Sequence, residues 1–280
     1  MPRRNKSLPR VGVCKMCLKD GPLCQSHFMP QGILKLCTSS DSPPIIATSK
    51  VMMPSARPVT DYVLCPGCEQ LLCQNGEAWM IPQLATERGY FPLHSKIATQ
   101  EPACTTDDAH AYLLATNAEI KAERIIRFAL GVFWKASIHS WQRGIKEPRI
   151  RLGPISDQLR LFLLDGKPLV HFVSLAVVVS PPPVEMIASC HPIQGGDTNG
   201  YLNFYFYVPG VMFNLRVGDV SRVRGMGMIS NPDAPVLVHD LNEMIVKLYK
   251  HGTGTAYKTK AMQEFLQQRE AKGQPRHPFE

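Results

Sequence analysis

The chain has 280 residues, 44% of them hydrophobic and 19% charged, with a formal net charge of +8. This composition excludes a disordered chain, and the length is enough to bury a sizeable core as one large or two modest domains. The most apolar run, residues 175–179, is too short to span a bilayer. The basic start Met1-Pro-Arg-Arg-Asn-Lys6 lacks the apolar segment of a secretory signal, so no membrane and a cytoplasmic location are expected. Residues 1–13 read as a basic arm carrying Arg3, Arg4, Lys6 and Arg10. Its ordinary reading is a solvated terminus, and its functional reading is a grip on phosphates.

The chemistry begins at Cys14-Lys-Met-Cys17 and closes at Cys65-Pro-Gly-Cys68. Nine cysteines, odd in number and partly in Cys-x-x-Cys pairs, argue for metal binding in a reducing compartment rather than a disulfide framework. Cys14, Cys17, Cys65 and Cys68 supply four thiolates, the number a structural zinc takes, each pair from a tight turn. The stretch between the pairs exceeds a compact zinc-finger spacing, so they pin the two ends of a longer loop that carries Ser26-His27-Phe-Met-Pro30. Cys24 or Cys37 is the alternative ligand. Otherwise these two, with Cys73, Cys104 and Cys190, read as small buried hydrophobes.

Residues 38–60 are rich in Ser and Pro and predict a loop with at most a short strand at 45–48. A helix is expected over 68–79, weakened by Asn75-Gly76. On it Glu69 lies in the first turn, Cys73 follows on the same face, and Glu77 sits about 80° further round. These two carboxylates could meet His27. Residues 80–118 predict loops with short helical turns. A long helix follows over 119–143, with a stripe formed by Ile126, Ala129, Leu130, Phe133, Trp134 and Trp141. Lys121, Arg124, Arg127, Lys135 and Arg143 decorate it, and a solvated face is the ordinary reading of such a set. A second helix, capped at Ser156 or Asp157, stops at Gly166. Strands are expected at 169–179, in a hairpin over 201–208 and 211–217, and at 236–238, before a final helix over 241–249. The aromatic cluster at 201–207 reads as sheet packing ahead of base stacking. The other histidines, His94, His110, His139, His171, His191, His239, His251 and His277, share no ligand spacing.

Cys-x-x-Cys, Ser-His-x-x-Pro and Cys-x-x-Cys-Glu in this order resemble the zinc-stapled branch of the HNH endonuclease family. They are most similar to a group of poorly characterised bacterial HNH-like proteins. Residues 128–137 and 152–160 fit that group, so the resemblance touches roughly the first 165 residues. It implies an α+β fold: an N-terminal ββα-metal, HNH- or treble-clef-like zinc module, a helical segment, and a small antiparallel sheet. Domains are expected at 1–80 for the zinc module and 81–250 for an α+β body, with a polar tail at 251–280. The resemblance implies hydrolysis of phosphodiester bonds in nucleic acid, DNA foremost, with His27 as general base. It also implies a catalytic Mg²⁺ or Mn²⁺ beside the structural zinc, for which Glu69 is the candidate ligand and Glu77, by its place on the expected helix, the next. Ser26 stands where the family has Asp, and Glu69 where it has His or Asn, so one carboxylate is exchanged for another. The other reading is a non-catalytic zinc module that binds nucleic acid or a protein partner. A homodimer is a further expectation for the assembly.

Overall fold

The structure is a computed structural model. It describes residues 10–38, 45–47, 52–54, 58–86, 88–114, 117–139, 141, 149–169, 172–184, 187–198, 200–221, 227–229, 235–245, 247, 264, 267 and 270–271. Arg3, Arg4, Lys6, Arg143 and most of the expected tail lie outside these residues.

Two sheets organise the chain. The smaller is antiparallel, in the order β1 (Arg10–Val13), β2 (Asp20–His27), β5 (Thr60–Leu64). The larger has nine strands. It is built from β3 (Ile45–Ala47), β4 (Met52–Pro54), β6 (Cys104–Thr105), β7 (Ala109–Leu113), β8 (Val173–Val179), β9 (Ser189–Thr198), β10 (Tyr201–Val208), β11 (Val211–Gly218) and β12 (Pro235–His239). Their spatial order is β4-β3-β9-β10-β11-β8-β12-β7-β6, and among the described residues the parallel pairings are β3–β9 and β8–β12.

This overturns the expected fold class. The chain is sheet-rich, not a ββα zinc module followed by helices and a small antiparallel sheet. Its main sheet is mixed and draws two strands from within the first 80 residues and two more from the region expected to be loops. The physical reason is length: β3, β4 and β6 are two or three residues long, too short to show a period-2 pattern, and they exist through pairing with a longer neighbour. Pro54 fits because β4 is an edge strand, where a missing N–H costs no ladder bond.

The centre of the large sheet follows the sequence closely. Every residue of β8 is buried, which explains why it is apolar but for Ser174, whereas β11 alternates buried and half-buried positions. The β10–β11 hairpin pairs Phe206 with Phe213, and the rings stack 4.8 Å apart. Gly210 in its turn has φ +80°, and a Cβ there would also strike the Phe91 ring at 2.6 Å. Across this face lies the long helix α5 (Ala122–Ile138), whose Phe128 and Phe133 meet Phe206 at 6.2 and 4.9 Å. The second helix, α6 (Ile155–Asp165), ends at Gly166 with φ +70°, as its sequence indicates.

Further helices are α1 (Gln31–Leu36), α2 (Pro66–Leu72), α3 (Ala78–Met80) and α4 (Pro92–Ile97). Between α2 and α3 the chain makes one π-helical turn, Cys73–Glu77. Gly76 does not end the helix. It lies against α5, where a Cβ would come within 2.7 Å of the Phe128 nitrogen. The glycine serves a backbone-to-backbone approach that no other residue allows.

Candidate metal centre and its surroundings

Cys14 follows β1, and its N–H donates to the Lys19 carbonyl at 3.0 Å, while Leu18 N–H closes the turn on the Cys14 carbonyl at 2.9 Å. The turn holds Leu18 at φ +60°, a conformation leucine rarely adopts. The second pair straddles the junction of β5 and α2: Cys65 ends the strand, Pro66 begins the helix, and Glu69 N–H bonds the Cys65 carbonyl at 3.1 Å. Lys15 N–H donates to the Val63 carbonyl at 2.9 Å and ties the two turns together. From α6, Arg160 Nη1 reaches the Met16 carbonyl at 2.9 Å.

The Sγ atoms of Cys14, Cys17, Cys65 and Cys68 consequently lie within 4.8 Å of one another, with Cys17 and Cys65 at 3.9 Å. Four sulfurs at this spacing can hold one metal ion. Burial works against ionising Cys14, but N–H groups of Cys65, Cys17 and Met16, with the Cys17 thiol, outweigh it and bring the group to about 7. Burial, then the neighbouring thiols, push Cys68 strongly up. Among the described residues this is the one group of three or more His, Cys, Asp or Glu that could hold a metal. Of the other cysteines, Cys73 and Cys104 are exposed, not buried as expected, and Cys24, Cys37 and Cys190 are half-buried.

The strand β2 carries Ser26 and His27 away from this centre. Ser26 is wholly buried, and its Oγ donates to Glu69 Oε2 at 3.0 Å, linking β2 to the first turn of α2. Glu77 also comes round to this region. In a regular helix it would sit off to the side of Glu69. The π turn inserts one extra residue, so eight positions act as about seven, close to two full turns of 3.6 residues. Both carboxylates act on His27 electrostatically. Burial holds the His27 imidazole below its ordinary value, Glu69 and Glu77 oppose this, and Lys135 reinforces it. Around Cys73 burial, then Glu77 and Glu69, raise the thiol.

Lys135 is the residue that sequence reasoning missed. It is 1% exposed, and its Nζ donates to the His27 carbonyl at 3.1 Å and to Glu77 Oε1 at 3.2 Å. The signal was present: Lys135 falls in residues 128–136, where the helix is apolar on every side but for it, so a solvated position was never open. Arg124 and Arg127 likewise serve packing, through the Gln74 carbonyl at 2.8 Å and over the Phe162 ring at 4.9 Å. His139 pairs with Asp61 at 2.8 Å, and Asp61 lies opposite Ser26 in the β2–β5 register. Arg10 is exposed, with its guanidinium 4.8 Å from the centre of the Tyr62 ring.

A scan against protein-family models, a search of curated proteins and a search of solved structures return no match. Among the described residues no helix is long and apolar enough to cross a membrane.

Proposed function

We propose that the chain is a metal-dependent phosphodiester hydrolase, an HNH-like endonuclease in chemistry, built on a structural zinc. The observation that carries this is His27, held towards its neutral form by burial and within electrostatic reach of Glu69, on the helix that the second cysteine pair launches. Zinc suits the four sulfurs. A tetrahedral ion with Zn–S bonds of about 2.3 Å requires sulfurs about 3.8 Å apart, and Cys17 and Cys65 stand at 3.9 Å. Such thiolates need reducing surroundings, which supports a cytoplasmic setting.

A hard divalent ion here would be held by Glu69 alone among the carboxylates free of Lys135, with Ser26 orienting it and water completing the shell as Mg²⁺ or Mn²⁺ accepts. Glu77 faces the same region with one oxygen bound to Lys135. When bound, the ion would polarise the phosphoryl group and stabilise the leaving oxygen. His27 takes a proton from the attacking water; the new bond forms from that oxygen to phosphorus, and the bond to the sugar oxygen breaks. A base of this kind contributes about 10²–10⁴-fold. The charge of +8 supports a nucleic-acid partner, whose affinity should fall with log salt by about 0.9 per phosphate contact on duplex DNA.

A second reading, a zinc-stapled binding module without catalysis, is favoured by the partners the carboxylates already have: Ser26 engages one oxygen of Glu69 and Lys135 one of Glu77. Nicking of supercoiled plasmid by the purified chain, with and without Mg²⁺ or Mn²⁺, separates the two. The enzyme reading expects divalent-dependent nicking that His27→Ala and Glu69→Gln abolish in folded, zinc-loaded protein. If the parent never nicks, the module reading stands. If Glu69→Gln nicks like the parent, Glu69 is not the ligand.

A further inference from the structure

The two faces of the small sheet differ in chemistry. Gln25 lies opposite Tyr62 and His27 opposite Thr60, so these four residues share one face in two successive rows. Gln25 Nε2 donates to Thr60 Oγ1 at 2.9 Å and ties the rows together. Arg10, from β1, reaches across to this face and places its guanidinium carbon 4.8 Å from the centre of the Tyr62 ring. Asp61, between Thr60 and Tyr62, turns to the other face and pairs with His139 at 2.8 Å. The strip formed by Arg10, Tyr62, Gln25, Thr60 and His27 thus carries a guanidinium and no carboxylate.

The strip is open to solvent at one end. Arg10 and Gln25 are exposed, Tyr62 and His27 are half-buried, and Thr60 is buried. A ligand lying on it would therefore run from a solvent-facing cation to the imidazole. The surrounding segment has the same sign: among residues 10–25, Arg10, Lys15 and Lys19 are exposed against one exposed carboxylate, Asp20.

Tyr62 changes what the arginine can do. A surface arginine gives up rotamer freedom each time it grips a ligand, and one already resting on a ring gives up less. Its N–H groups suit phosphate oxygens, which a guanidinium takes two at a time along one edge. Rows on one face recur about every 7 Å along a strand, close to the spacing of successive phosphates in a nucleic-acid strand. A protein partner would need apolar surface, and this strip offers polar side chains around a single ring. We propose that the strip is a docking track for the phosphodiester backbone of a nucleic acid, with one phosphate on Arg10 over the first row and its neighbour over the second, at His27. The inference deepens the nuclease reading and rests on it for where the track leads. Binding is read without cleavage, so either can fail alone.

Fluorescence anisotropy of the full chain with a short labelled DNA duplex, without added divalent ion, tests it. Saturable binding is expected. Arg10→Gln, at an exposed position that leaves the fold alone, should weaken it about tenfold and make the slope of log affinity against log salt shallower by about 0.9. Tyr62→Phe keeps the ring and should bind like the parent, whereas Tyr62→Leu should bind less tightly than Tyr62→Phe. Lys167→Gln removes an exposed positive charge just after α6 and should bind like the parent. The proposal is overturned if there is no saturable binding, or if Arg10→Gln binds no more weakly than Lys167→Gln, which would mean diffuse charge. It is equally overturned if Tyr62→Leu binds like Tyr62→Phe, or if polyglutamate displaces the duplex as well as unlabelled DNA does, which would mean an acidic protein partner. A parent that binds as expected but never nicks plasmid keeps the track and loses the nuclease.

Discussion

Replacing Lys135 by Met tests whether the ion pair under His27 holds the candidate site in place. Lys135 is 1% exposed and Glu77 20%, so solvent screens the pair weakly. Truncating one partner leaves the other buried without compensation, a loss of about 3–5 kcal/mol, whereas exchanging both for apolar residues of similar size is often neutral. For a protein of this size, each kcal/mol moves the melting temperature by about 2–4 °C, so Lys135→Met should melt about 6–20 °C below the parent. The double variant Lys135→Met/Glu77→Leu should recover most of that loss. It should not recover the hydrogen bond to the His27 carbonyl, so the end of β2 stays loosened. Thermal and urea melts give the stabilities. Carbethoxylation of His27, followed by peptide mass spectrometry, reports the strand end and should be faster in the double variant. The reasoning is refuted if Lys135→Met is as stable as the parent, or if the double variant is no more stable than the single.

Gly76→Ala should destabilise by about 1–3 kcal/mol in a urea melt, because the new methyl meets the α5 backbone at Phe128 rather than a yielding side chain. Stability should also fall with acid in a histidine-specific way. Burial lowers both His27 and His94 from 6.5, so the unfolded chain takes up protons near 6.5 while the folded chain resists until a lower pH. Their contribution is therefore complete above 6.5 and lost as the pH falls towards the folded values, and replacing both with Gln should flatten that part of the profile.

The parts of this architecture that were legible in the sequence are those with strong local signals. The two cysteine pairs converge as their spacing indicates, α5 follows its apolar stripe, and α6 stops at Gly166. The hairpin over 201–218 pairs in the register its alternation suggests. What could not be read locally depends on partners distant in sequence. The short strand expected at 45–48 is β3, but its partners were not legible, and β4 and β6 are defined by neighbours, so the size and mixed character of the main sheet were hidden. Glu77 comes within electrostatic reach of His27 through a π turn that no composition rule marks, and Gly76 looked like a helix end because its contact with α5 lies some fifty residues downstream. Lys135 was visible as a charge inside an apolar stretch, but its partners, 58 and 108 positions away, were not.

In the proposed reading one metal ion closed by Cys14, Cys17, Cys65 and Cys68 anchors the strand that carries His27 and the helix that carries Glu69. Native mass spectrometry of the purified chain, beside Cys65→Ser, measures this most directly. One tightly held zinc per chain in the parent is expected, and Cys65→Ser should lose it together with the fold of residues 10–80, since structural zinc contributes about 10–16 kcal/mol in small modules. A parent without bound metal, or a Cys65→Ser chain that keeps its full metal content, would contradict the account.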